Sequence, residues 1–62
     1  MKVRIIAHVP VEERIRPEAG KVYEVIDTAD RDLGGRVYFV EVNGERVGVL
    51  SRECEVVREA EA

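Results

Sequence analysis

Few side chains in this sequence are equipped for chemistry, and their spacing decides what they can do. Cys54 and His8 are the only Cys and the only His, too few for a structural zinc site without carboxylates or a second chain. A Cys-His nucleophilic pair would need hydrogen-bond reach and an activating environment. Cys54 instead falls on the expected inner face of the last strand, where a free Cys acts as a small hydrophobe. His8 flanks a strand end and reads as a surface or edge residue. Ser51 is the only Ser, with no base placed beside it. Asp30 and Asp32, with Gly35 and then Glu41, follow the spacing of a twelve-residue calcium loop. Such a loop needs flanking helices, whereas Glu41 sits in a strand pattern, so a solvated turn is the better account. Carboxylate pairs such as Glu12-Glu13 and Glu53 with Glu55 read as solvated faces. Gly34-Gly35 lacks the Lys-Ser/Thr and the following helix of a phosphate-binding loop. The expectation is no catalytic residue, no metal site, no cofactor and no small-molecule substrate.

The elements that must position any surviving site are short strands. Sixty-two residues suffice for one small domain, and a chain of that size leaves little room for a deep pocket. Twelve Val and four Ile supply side chains suited to a pleated, half-buried surface. Ten basic against 13 acidic residues give a net charge of −3, which implies no general affinity for nucleic acid or acidic membranes. No apolar run is long enough for a membrane span or a signal-peptide core. A lone Cys excludes an internal disulfide framework, and a cytoplasmic location follows as the expectation.

Residues 1–58 read as one unit, followed by a frayed acidic tail at 59–62. Lys2 to Val9 forms the first strand pattern, stopped by Pro10. Pro17 and Gly20 bracket a turn before Lys21 to Asp27, and Thr28 to Gly35 reads as a polar loop. Arg36 to Val42 is the strongest strand pattern. Asn43-Gly44 follows it, a pair that tolerates the positive φ values a type I′ hairpin demands. A two-residue loop pairs Val42 with Glu45, Glu41 with Arg46, Val40 with Val47, Tyr38 with Val49 and Val37 with Leu50. Opposite charges then share one face, while Tyr38, Val40, Val47 and Val49 share the other. Ser51 to Glu53 reads as a short 3₁₀ turn before a last strand, Cys54 to Arg58. A helix at Val11 to Ala19 is disfavoured by Pro17 and poor apolar spacing.

This order resembles the layout of five-stranded SH3-like small barrels, common among short bacterial and phage proteins. Arg36-Val-Tyr-Phe-Val-Glu-Val-Asn-Gly44 looks like the central strands and distal hairpin of that family, and Glu18 to Ile26 like the segment after its diverging turn. The resemblance implies an all-β barrel with a core of Val3, Ile5, Ala7, Tyr23, Val25, Val40, Val49, Cys54 and Val56. It places the family's peptide groove at Val9, Val11, Val37, Leu50 and Glu53. None of these is aromatic, which argues against recognition of proline-rich peptides.

The hairpin register singles out part of the same region. If Tyr38 and Val49 point inward, Val37, Phe39 and Leu50 point outward, a cluster larger than the scattered apolar residues of an ordinary surface. The leading expectation is a non-enzymatic protein-interaction module that uses Val37, Phe39 and Leu50 with Val9, Val11 and Glu53. A nucleic-acid-binding domain is the second reading, built on Arg4, Arg14, Arg16, Arg31, Arg36, Arg46, Arg52 and Arg58. Acidic neighbours beside most of these arginines weaken it. His8 to Arg14 also resembles, over seven residues, the start of swapped-hairpin transcription regulators. A structural homodimer, with the outward residues buried against a second copy, is the third.

Overall fold

The computed structural model describes residues 1–31 and 35–58. Five strands run β1 Lys2–Ile5, β2 Val22–Asp30, β3 Arg36–Val42, β4 Glu45–Leu50 and β5 Cys54–Val57. One 3₁₀ turn, Glu13–Ile15, lies in the long β1–β2 connection, and another, Ser51–Glu53, joins β4 to β5. All neighbouring strands are antiparallel, in the order β4-β3-β2-β1-β5. The two ends of this order do not pair, so the sheet is open where a closed barrel was expected. At the end of β4 the edge is capped locally. The N–H of Leu50, at the end of β4, donates to Glu53 Oε1 at 2.9 Å, and its carbonyl faces Cys54 Sγ at 3.6 Å. Both backbone groups that would continue a ladder at Leu50 are therefore occupied.

β2 belongs to both halves of the sheet. Residues 22–24 pair with β1, and Val25 onward pairs with β3, with a bulge between Val25 and Asp27. Such a bulge bends a strand and increases its twist. The bend lets both halves bury side chains in one cluster: Val3 and Ile5 from β1, Tyr38 and Val40 from β3, Val47 and Val49 from β4, Cys54 from β5, and Val9 from the β1–β2 connection. Tyr23 and Val25 pack against this cluster while only partly buried.

Several boundaries differ from the sequence reading. β1 stops at Ile5, because Ile6 N already bonds to Glu53 O beyond the β1–β5 ladder. β2 runs on through Thr28, Ala29 and Asp30, where a loop was expected, since these residues find ladder partners in Tyr38, Val37 and Arg36. Val56 pairs with Val3 yet is 50% exposed. β5 is an edge strand with no neighbour beyond it, so Val56 does not belong to the core. Ala7 is half-buried, while Val9 at 1% exposure takes a core place that the expected list omitted. The expected Asp32 to Gly34 portion of the polar loop and the tail at 59–62 lie outside the described residues.

The β3–β4 connection is a two-residue turn. Asn43 has φ of 50° and Gly44 of 81°, both in the left-handed region where a Cβ is disfavoured and Gly and Asn are tolerated best. The Asn43 amide also donates to the carbonyl of Arg14, tying the turn to the β1–β2 connection. Cα partners along the hairpin are Val42 with Glu45, Glu41 with Arg46, Val40 with Val47, Phe39 with Gly48, Tyr38 with Val49 and Val37 with Leu50.

Candidate functional site

Strand alternation divides β2, β3 and β4 into two faces. The inner one carries Val40, Val47, Val49 and Tyr38 into the core. The outer one is laid out in cross-strand rows: Ala29, Val37 and Leu50, then Asp27, Phe39 and Gly48, then Glu41 and Arg46. Val37, Phe39 and Leu50 are each half-buried, and Ala29 is exposed.

Gly48 explains how Phe39 is held. A Cβ on Gly48 would lie 3.1 Å from Val37 Cγ1 and 3.3 Å from Phe39 Cε1. Val37 and Phe39 therefore lean across β4 into the space that a side chain would occupy. Aromatic cover of a strand glycine compensates for the packing the glycine lacks. Above the ring, the Arg46 guanidinium carbon stands 4.4 Å from the centroid, and its Nη2 donates to Asp27 Oδ2 at 2.7 Å. Arg46 thus uses Asp27, rather than its cross-strand neighbour Glu41, as its ion-pair partner. The remaining open apolar surface is aliphatic: Ala29, Val37 and Leu50.

Of the six residues expected to bind a partner, three share this face and three do not. Val9 is in the core, and Val11 packs against it. Their carbonyls accept hydrogen bonds from Arg16, Nε to Val9 at 3.1 Å and Nη2 to Val11 at 2.8 Å, which holds the connection closed over the core. Glu53 is 7% exposed, with its carboxylate turned to Leu50 N. Sequence reasoning missed Ala29, Asp27, Gly48 and the position of Arg46 over Phe39. The Phe39–Gly48 pairing was implicit in the two-residue turn, but the β2–β3 bulge that brings Asp27 and Ala29 alongside has no sequence signature.

A polar cleft of about 400 Å³ lies between the β1–β2 connection and the Asn43 turn. Its cations are already matched. Arg14 pairs with Glu12 and Glu45, Lys21 with Glu18 at 2.8 Å, and Arg16 with the two carbonyls. The adjacent Glu18 carboxylate also raises the Lys21 pKa.

Chemistry elsewhere is sparse. Asp30 of the acid-rich segment pairs with Arg36 at 3.3 Å, Glu41 lies in β3, and Asp32 is outside the described residues. Among the described residues no group of three or more His, Cys, Asp or Glu is gathered around one point, and no helix is long and apolar enough to cross a membrane. His8 is exposed.

Cys54 is buried and free. Burial raises its thiol pKa, and the nearby Glu53 charge adds to the shift. The thiol should alkylate far more slowly than an exposed cysteine at neutral pH. Its folded-state pKa lies above its unfolded one, so its contribution to stability is complete below the ordinary thiol value of 9.0 and is lost as pH rises through the folded pKa. Denaturant titrations of wild type and Cys54→Ala across alkaline pH check this. An equal decline in both proteins would remove Cys54 as the cause.

Comparison with protein-family models, curated proteins and solved structures returned no match.

Proposed function

We propose that the chain is a small SH3-like interaction module that receives a partner protein on the outer face of its β3–β4 hairpin. Three features support the SH3-like layout. The strand order is β4-β3-β2-β1-β5, one bent strand serves both halves, and a 3₁₀ turn separates β4 from β5. The docking reading rests on one observation: Val37, Phe39 and Leu50 lie together on the face turned away from the core. A protein partner fits this face better than nucleic acid does. The one aromatic ring there is capped by Arg46 and so is not free for base stacking. Arg4, Arg14, Arg36 and Arg46 already hold carboxylates, and the net charge is −3.

Peptides selected from a random library on the wild-type domain test the reading when re-measured on a Val37→Ser/Leu50→Ser protein. Light scattering of both proteins across a concentration series accompanies the measurement. The expected result is a monomer whose selected peptides bind at least about tenfold more weakly to the double variant. A wild-type dimer that becomes a folded monomer in the variant would assign the face to a second copy instead. Peptides that bind both proteins equally would sink the docking reading.

A further inference from the structure

The charges around the outer face are not evenly distributed, and their arrangement limits what can dock there. At the Leu50 end stands Arg31. Its N–H bonds to Gly35 O at 2.8 Å, and its Cδ and Cβ lie 3.7 and 3.9 Å from where a Gly35 Cβ would be. Gly35 precedes Val37 by two residues, so alternation places that Cβ position, and the stem of Arg31 beside it, on the outer face. Arg52, exposed in the 3₁₀ turn, follows Leu50 by two residues. Neither Arg31 nor Arg52 forms an ion pair with a described residue. Arg36 at this end is tied to Asp30, and Glu53 is turned inward to Leu50 N. At the Phe39 end the balance is reversed, with Arg46 facing both Asp27 and Glu41.

Addition of a partner strand to the free edge of β4 fits less well than docking on the face. Leu50 turns its N–H away from β3, so in an alternating ladder Gly48 and Arg46 do the same. Glu53 already takes the Leu50 N–H, which leaves the edge N–H groups of only those two residues for a newcomer.

We propose that the outer face takes an acidic segment of a partner protein, with carboxylates on Arg31 and Arg52 and aliphatic side chains against Val37, Leu50 and Ala29. The inference rests on the docking reading above and adds to it the charge and direction of the ligand. An apolar strip with free guanidinium groups at one end and an acidic border at the other accepts such a segment in one orientation. The reverse orientation sets its carboxylates against Asp27 and Glu41, and like-charge juxtaposition penalises it.

The test titrates the ¹⁵N-labelled 62-residue chain with two end-blocked peptides. One is Asp-Glu-Asp-Leu-Val-Leu-Val-Ser, and the other has Lys at its three acidic positions. The acidic peptide should bind about tenfold more tightly than its Lys counterpart at low salt, with the advantage shrinking as salt rises. Its shifts should centre on Ala29, Val37, Leu50 and Arg52. An Arg31→Glu/Arg52→Glu protein changes only exposed side chains and should keep the wild-type spectrum away from the two substituted sites while its peptide preference reverses. Equal affinity for both peptides on this face would overturn the charge inference and leave the docking reading standing. Absence of shifts with either peptide would overturn both. Stronger binding of a single-stranded oligothymidylate to the same residues would give the face to a phosphate polymer instead.

Discussion

An Ile5→Ala protein should lose about 2–5 kcal/mol of stability, the usual cost of truncating a large buried aliphatic side chain. A 62-residue domain has on the order of 3–9 kcal/mol in total, so this one change removes a large part of it. Ile5 is fully buried at 0% exposure and stands where several elements meet. It pairs with Cys54 on β5, its N–H donates to Lys21 O at 3.0 Å, and its carbonyl accepts from Gly20 N at 2.7 Å. The side chain therefore packs at a junction that little slack in the backbone can collapse around. Ile26 provides the internal comparison. It lies at the β2 bulge and is 52% exposed, so Ile26→Ala should stay within about 0.5 kcal/mol of wild type. Urea midpoints of the two variants decide the matter. Similar midpoints would mean that the core is not organised around β1 as described.

The second large effect concerns Glu53. Glu53→Ala removes the acceptor for the partly buried Leu50 N–H, and leaving such a donor without a partner costs about 1–3 kcal/mol. Glu53→Gln keeps an acceptor oxygen and should recover most of the loss. Stability is only half of the expected result. With Leu50 N–H released, the free edge of β4 lengthens from two outward-facing residues to three, and exposed edges invite pairing with other chains. Glu53→Ala should therefore associate at concentrations where wild type and Glu53→Gln do not. Light scattering alongside denaturation reads both outcomes. An alanine variant as stable and as dispersed as wild type would refute the capping role.

These two residues also show where the sequence was readable. Ile5 was expected in the core because the resemblance implied it. The hairpin was legible to the residue, since Asn43-Gly44 leaves one register that separates charge from apolar side chains. Val37, Phe39 and Leu50 followed from that register alone. Glu53 was not legible. A carboxylate in a charged stretch looks solvent-facing, and only the three-dimensional course of the 3₁₀ turn brings it back to Leu50 N. Val9 was misplaced for a related reason, because no local periodicity tells which residues of a long connection tuck inward. The β2 extension was hidden by composition. Thr28, Ala29 and Asp30 carry turn-like character, and their strand conformation comes from the partners β3 supplies. Barrel closure was inferred from a layout, whereas it depends on whether the two end strands meet, which no local pattern encodes.

The ladder between β1 and β5 joins Lys2 to Val57, which makes it the longest-range connection in the fold. The β3–β4 hairpin, by contrast, closes over two residues. Loop-closure entropy grows with the length of chain enclosed, and contacts of high sequence separation slow folding. The hairpin can zip from local sequence alone. The strand that finishes the sheet must wait for the last turn and β5. Until then Val3 and Ile5 have no neighbour on one side, so a folding route that forms the hairpin first leaves β1 half-matched.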